Sequence, residues 1–488
     1  MSISTAMTNA TSGMSAATRR AEVVASNIAN ATTPGYARRS VVLSENILTG
    51  RGFGVRVNGI DRAENRGLTT AFRSADAADG RAGLIANATI SLNESLGEPS
   101  EGYGLFSAYE QFETAMRDLA LSPESTASQR VLLDRATALT TEFQNLQELV
   151  NESRESADAA IGAGVRQVNT ALDEIQRLNG AIGGLNESSG DAVALYDRRD
   201  QLVSEINRLI PIKEYNRADG QIDLVTREGV FLLQGSPRYL EFSSAGALTA
   251  QLTYGDGSGR VSGLSIGSSE ITPGAATGQA LSGGELAGHF TVRDKIMTSF
   301  QGQIDALAGD LISRFSAPAI DPTLTVGQAG MFTQNGGPLT APTVGVAGQI
   351  EVNVVLDPDQ GGALHRLRDG IGALGPGPAG DATILNNMIE GFTDRRPVNA
   401  ATTLSGDYSV IDAVAGISSV IGAARLSAEA SATSTAARTE VLFSKKIEAT
   451  GVDTDAEVQA LLLIEQAYAA NARVIQTASQ MINILMEI

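Results

Sequence analysis

The chain has 488 residues, of which 42% are hydrophobic and 5% aromatic, with 55 Asp and Glu against 36 Lys and Arg and a formal charge of -19. That length suits roughly two to four domains with a real core, and the acidic field repels nucleic acids and anionic lipid surfaces. With no cysteine and only His289 and His365, the chain has no material for disulfides, thiol catalysis, thiolate zinc sites or most His clusters.

The N-terminus lacks a secretory signal pattern. The first basic residue is Arg19, and Ser, Thr and Asn interrupt everything before it. No run of about 18 apolar residues is present, so no membrane insertion is expected. Instead Ile3, Met7, Ala10, Met14, Ala17, Ala21, Val24 and Ile28 form a heptad seam. Three of its positions are Ala, so the helix buries little and is expected to order only against partner helices. It should stop near Asn30, read as a left-handed cap. Thr33-Pro34-Gly35-Tyr36 then fits a type II turn. Ser40–Leu43 and Gly54–Val57 read as short extended pieces.

A helix is expected at Leu105–Leu119. Leu132, Ala136, Leu139, Phe143, Leu146 and Val150 begin an a/d run, and Ile161, Val165, Val168, Leu172 and Ile175 continue it after a phase shift. Unbroken from Pro123 to Leu178, this helix would be roughly 80 Å long. Leu195–Leu209 is a further helix after a Gly180–Gly190 loop. From Pro211 to Ser282 the period changes to two, with a hairpin signal at Asp219-Gly220. Leu286–Phe315 is helical again. Ala317–Gly380 is rich in Gly and Pro, with one strand at Ile350–Leu356. Asp407–Lys446 returns to helix.

At the C-terminus Thr454-Asp455-Ala456-Glu457 matches a capping box. Leu461, Tyr468, Ile475 and Ile482 then recur every seven residues, flanked by Leu485, with Asn471 beside them. This spacing fits subunit packing, and fits equally a helix docked on an ordinary core. The pattern as a whole is an elongated, multidomain α+β chain. A long helical bundle forms the stem, the terminal helices are coiled-coil-like, and β-rich sequence is inserted. The expected units are 1–60 with 451–488 (terminal helices), 61–211 with 285–316 and 384–450 (stem), 212–284 (β-rich) and 317–383 (insertion).

Catalytic patterns are sparse. Gly263-Leu264-Ser265-Ile266-Gly267 satisfies a nucleophile-elbow spacing, but Thr272-Pro273 and Ser-rich sequence follow where a helix is needed. Asp357-Pro358-Asp359 and Asp453-Thr454-Asp455 lack the remaining ligands of a calcium loop and read as a turn and a helix cap. His289 opens a helix and reads as exposed or capping. His365, beside Arg366 and Arg368, reads as a solvated face. No catalytic, metal or cofactor site is expected, and no enzyme.

Ser26-Asn27-Ile28-Ala29-Asn30-Ala31-Thr32-Thr33-Pro34-Gly35-Tyr36 resembles the N-terminal signature of bacterial flagellar axial proteins. Ala467-Tyr468-Ala469-Ala470-Asn471-Ala472-Arg473-Val474-Ile475-Gln476-Thr477-Ala478 is similar to their C-terminal signature. Leu195-Tyr196-Asp197-Arg198-Arg199-Asp200-Gln201-Leu202-Val203 resembles a helix of the hook-associated protein 1 family. So does Gly283-Gly284-Glu285-Leu286 with Phe290, Arg293 and Asp294. The resemblance implies a non-enzymatic junction subunit between hook and filament, exported unfolded by the flagellar type III system without a cleaved signal. Its implied partners are copies of itself, hook protein, hook-associated protein 3 and an export chaperone on the C-terminal helix. Subunit packing then falls to Ile3, Met7, Met14, Val24, Ile28, Leu461, Tyr468, Ile475, Ile482 and Leu485. The exit turn and motif positions are Asn27, Asn30, Pro34, Gly35, Tyr36 and Asn471. Other readings are a hook or distal rod protein, which a β-dominated middle would favour, and an exported hydrolase with flagellar ends.

Overall fold

The computed structural model describes residues 3–48, 51–97, 102–185 and 190–486. Helix α1 (Ile3–Ala29) is followed by an antiparallel hairpin of β1 (Arg39–Leu48) and β2 (Arg51–Arg62). This is longer than the two short pieces read from sequence, the pairing running on through polar Ser44, Glu45 and Arg56. Helix α2 (Arg66–Leu96) has no counterpart in the sequence reading. Its buried stripe is largely Ala75, Ala77, Ala82 and Ala86, too weak a contrast for periodicity to register. Asn65 caps it by accepting from the Leu68 N–H.

Helices α3 (Gly104–Leu121) and α4 (Thr126–Ile182) come next. At 57 residues α4 is about 85 Å long, and this one element makes the molecule elongated. Ser125 is its N-cap, accepting from the Ser128 N–H. The phase shift in its seam does not break the helix. There it passes from one hydrophobic core to another. Leu132 to Ala157 pack with α3, and Ile161 to Ile175 pack in a second cluster. Between them Arg154 and Asp158 are buried.

Helix α5 (Gly190–Leu209) leads into the β-rich region. There β3 (Ile212–Asn216), β4 (Ile222–Thr226), β5 (Phe231–Gln234) and β6 (Ser236–Pro237) form one antiparallel sheet. A second sheet has β7 (Leu240–Glu241), β8 (Ser265–Ile266) and β9 (Ser269–Glu270). Their inner residues Leu224, Leu232, Leu233 and Ile266 join the second core with Leu172 and Leu202.

Helix α6 (Gly284–Thr291) runs through a π turn at Val292–Ile296 into α7 (Met297–Phe315). The π turn presents Arg293 to the interior. Its Nη1 donates to Asp158 Oδ1 at 2.7 Å, and its Nη2 to the Ser262 carbonyl at 3.0 Å. The Arg154 guanidinium donates to the carbonyls of Thr249 and Leu252. Asp158 also accepts from Ala245 N–H at 2.8 Å and from the Ser244 hydroxyl. This buried network ties the β-rich region to the middle of the stem.

The segment 317–383 folds onto the stem. It contains β10 (Phe332–Gln334), β11 (Ile350–Val352) and the short α8 (Arg366–Asp369). Phe332 meets Phe112 and Phe315 edge to face, with ring centroids 5.5 Å and 5.3 Å apart. Asp305 of α7 accepts from the N–H groups of Gly345 and Ala347. The strand read at Ile350–Leu356 stops at Val352, because Asn353 caps a 3-10 turn over Val354–Leu356. Helix α9 (Thr383–Thr393) follows, with β12 (Arg396–Pro397) paired to β13 (Asp407–Tyr408). Arg314 holds the end of α9 through the carbonyls of Gly391 and Asp394.

Helix α10 (Val410–Thr450) begins in the stem core with Val410, Val414, Ile417 and Ile421. It then runs along α2, where Phe72 and Phe443 lie 5.6 Å apart with Lys446 over the Phe72 ring. Ser409 caps it through the Asp412 N–H. Within Val410–Met486 one window is long and apolar enough to cross a membrane by composition alone. The chain ends in α11 (Thr454–Met486), which lies against α1. Asp158→Ala is expected to lower stability by about 1–3 kcal/mol, since it takes one of two carboxylates from buried Arg293, Asp294 being the other, and removes the acceptor of the Ser244 hydroxyl and the Ala245 N–H. A urea titration followed by far-UV circular dichroism measures this, with Asp158→Asn losing less.

Candidate interface at the joined chain ends

The feature that organises the terminal unit is a buried amide. Asn27, in the last turn of α1, is 0% exposed. Its Nδ2 donates to the Arg39 carbonyl at 2.9 Å and to Glu457 Oε2 at 3.1 Å. Its Oδ1 accepts from Arg39 N–H at 3.0 Å and from the Tyr36 hydroxyl at 2.9 Å. Both donors and both lone pairs of the amide are used. Glu457, also 0% exposed, takes a second bond from Arg38 Nε at 2.6 Å. A single buried cluster therefore joins the end of α1, the exit turn, the start of β1 and the first turn of α11.

The exit turn is built to reach that cluster. Tyr36 N–H donates to the Thr33 carbonyl across Pro34-Gly35, and Gly35 has φ 79°, the left-handed value that position i+2 of a type II turn requires. A Cβ on Gly35 would stand 2.5 Å from Gln201 Nε2. Gln201, in turn, donates to the Pro34 carbonyl at 2.7 Å. Asn30 does not adopt the left-handed cap expected of it; its side-chain Nδ2 donates instead to the Ser26 carbonyl at 2.9 Å. The Arg39 guanidinium lies 4.6 Å over the Tyr36 ring.

Arg39 starts an ion ladder between hairpin and stem. It pairs with Asp197 at 2.7 Å. Arg62 reaches Asp197 at 3.1 Å and Asp200 at 2.6 Å, and Arg73 pairs with Glu214 at 3.2 Å. Burial would lower the Arg62 pKa, but Asp200 and Asp197 outweigh it and the net shift is upward. The ladder's acceptors include the two aspartates of the α5 motif that carries the family resemblance. No motif marks their basic partners. For Glu457 the sequence offers only the second half of a capping box. The cap is Asp453, which accepts from the N–H groups of Asp455 and Ala456, leaving Glu457 to turn inward.

The helix seams also differ from the reading. In the single chain α1 is helical and lies on α11, whereas its seam predicts order only against partner helices. The core of that pair is small: Ala17, Val24 and Ile464, with Ala21, Ile28 and Ala460 around them. The line of α11 turned inward is Glu457, Ile464, Asn471 and Ala478. Asn471 meets Gly13, where a Cβ would stand 2.8 Å from its amide. Of the seam positions named from sequence, Val24 is buried, while Ile3, Met7, Met14, Ile28, Ile475 and Ile482 are half-buried. Leu461, Tyr468 and Leu485 are 37%, 43% and 62% exposed. With exposed Leu462, Leu463, Val474, Met481 and Ile484, they flank the inward line and run round the rest of α11, leaving more apolar surface uncovered than single exposed residues account for.

Little else offers chemistry. Among the described residues no group of three or more His, Cys, Asp or Glu could hold a metal ion. Ser265 of the elbow-like pattern lies in β8, between antiparallel neighbours β7 and β9. His289 is half-buried rather than exposed, and burial lowers its pKa. The basic run after His365 is not a solvated face. Arg366 donates to the Ile371 carbonyl and buried Arg368 pairs with Asp369, because 317–383 folds back on itself there.

Comparison with known families gives three matches along the chain. Residues 90–319 match the flagellar hook-associated protein FlgK helical domain. Residues 7–36 match the flagella basal body rod protein family, and residues 444–488 the flagellar basal body rod FlgEFG protein C-terminal family. Flagellar hook-associated protein 1 of Salmonella typhimurium is 29% identical over 258 residues, covering 48% of this chain and 43% of that protein. The Escherichia coli protein of the same name is 27% identical over 63% of this chain and 55% of its own length. That of Bacillus subtilis is 22% identical over 94% of this chain and 93% of its own. The chain thus spans about half the length of the two enterobacterial relatives. The solved flagellar hook junction protein FlgK from Burkholderia pseudomallei aligns with TM-score 0.42 and 18% identity, over 54% of this chain and 46% of that one.

Asn27→Ala should leave Glu457 and the Arg39 backbone short of partners, at a cost of about 1–3 kcal/mol confined to the terminal unit. Hydrogen exchange measures this: residues 27–39 and 454–464 exchange faster while α4 is unchanged. Asn27→Asp, which sets a second carboxylate against Glu457, is at least as damaging.

Proposed function

We propose that the chain is a member of the flagellar hook-associated protein 1 family and a structural subunit of the bacterial flagellum, forming the junction between hook and filament. The observation that carries the proposal is the half-finished terminal pair. One side of α11 is satisfied by α1, with Ile464 and Ala478 buried. Around the rest of the helix apolar residues remain exposed, Leu461, Leu462, Tyr468 and Leu485 among them. Exposed apolar surface of this extent marks a contact with a neighbour, and one heterologous contact repeated between copies builds an open helical array.

In this reading residues 1–60 with 451–488 form the inner tube. The stem (61–211, 285–316 and 384–450) surrounds it, and the β-rich 212–284 faces outward. The segment 317–383 goes with the stem, because Phe332 and Ile350 share its core. Hook protein lies on one side of the junction and hook-associated protein 3 on the other. The chain reaches its position by type III export, unfolded and without a cleaved signal, and an export chaperone covers the apolar side of α11 beforehand. The role is architectural, with no catalytic step. The charge of -19 favours a soluble subunit before assembly.

Two experiments test this. Cells whose chain lacks residues 459–488 are expected to make hooks without filaments and to shed monomeric filament protein; normal filaments would overturn the reading. Leu461→Asp and Tyr468→Asp alter partly exposed positions, so each should cost the monomer no more than about 1–2 kcal/mol yet abolish filament growth. A thermal melt and a motility assay separate the two effects.

A further inference from the structure

Beside the Asn27–Glu457 cluster lies a cleft of about 220 Å³, between α1, β1 and α11. Its floor is apolar, with Val23 and Val24 buried and Ala460 half-buried. Leu43 is exposed at its edge, and Arg20 and Arg38 are on its rim. A chain of charge -19 therefore has a locally basic, partly apolar depression at its joined ends. The same chain carries the complementary surface. Asp455, Val458 and Leu462 of α11 stand three and four residues apart, on one helix face, and all three are exposed.

We propose that the cleft of one copy receives the first two turns of α11 from the next copy, Asp455 meeting Arg20 and the Val458–Leu462 pair covering Leu43 and the valine floor. The proposal rests on the junction reading and adds to it the register of the contact. A second copy is the occupant because both halves are on this chain and at the same pole. Glu457, which lines the cleft, lies two residues from Asp455 on α11. A sideways shift of one copy brings the acidic, apolar face of α11 to its neighbour's basic rim. The two surfaces differ, so the contact is heterologous and repeats without closing on itself. At long range copies of like charge repel, and the local opposite charges select this one orientation at contact.

The absence of native cysteine makes the test direct. Full-length Arg20→Cys and Asp455→Cys chains, one carrying a size tag, are co-expressed in flagellated cells, and isolated hook–filament structures are treated with a short bismaleimide. The expected product is a heterodimer of the two variants, absent when either is expressed alone. Three results would overturn the proposal: no heterodimer although both variants are in the junctions, crosslinks between like positions, or Arg20→Cys linked to a different protein. A second arm uses charge reversal. Arg20→Glu and Asp455→Arg should each lower the fraction of filament-bearing hooks about two- to fivefold, and the double variant should recover it; a double variant no better than either single one also overturns the contact. Failure to find the unaltered chain in hook–filament structures would instead remove the junction reading itself.

Discussion

Everything in the terminal unit depends on bringing two side chains together across 430 residues of chain. Asn27 and Glu457 are each wholly buried, and neither tolerates burial alone. An amide without partners costs a few kcal/mol, and a lone carboxylate far more. Their mutual bond, together with Arg38, Tyr36 and the Arg39 backbone, makes the site affordable only when every contributor is present. The cluster is therefore conditional. Until the last helix arrives, Asn27 Nδ2 lacks one of its two acceptors and Arg38 lacks the Glu457 carboxylate.

That conditionality suits a pair of helices with so little core. Ala17, Ala21 and Ala460 let the backbones approach but contribute little apolar area. Two specific contacts fix the register instead: the Asn27–Glu457 hydrogen bond at one end, and the close approach of Gly13 to Asn471 further along. A zipper of large residues would have sealed both faces of α11. The small one leaves a side open for neighbours.

The stem is held by different means. Its two cores are apolar clusters, but they meet at Arg154, Asp158 and Arg293, where charge is buried between them. Two consecutive four-residue steps in the α4 seam turn these polar positions inward, and the π turn supplies the facing arginine. A buried ion pair of this kind adds little net stability, but only one arrangement satisfies it. It fixes how the β-rich region sits on the rod. The ladder from Arg39 through Asp197, Arg62 and Asp200 does the same between hairpin and stem. Both joints of the molecule are set by directional, charge-assisted bonds.

Periodicity and local chemistry are what the sequence by itself determined. The heptads of α4 and α11 are readable because large apolar residues recur there at fixed spacing. So is the Pro34-Gly35 turn, whose φ requirements those residues meet without strain. The α+β alternation and the family signatures at both ends are equally plain. Helix α2 is not legible, because alanine serves a buried face and an exposed one alike. Nor is the fate of 317–383, whose few apolar residues have no period and find their partners on α3 and α7. Only the tertiary structure decided which side of α11 faces inward, and that Glu457 leaves the capping pattern to meet Asn27. Spacing defines a helix face but not its partner, and a carboxylate that could cap a helix or enter a core is assigned by whatever donors the rest of the chain brings within about 3 Å.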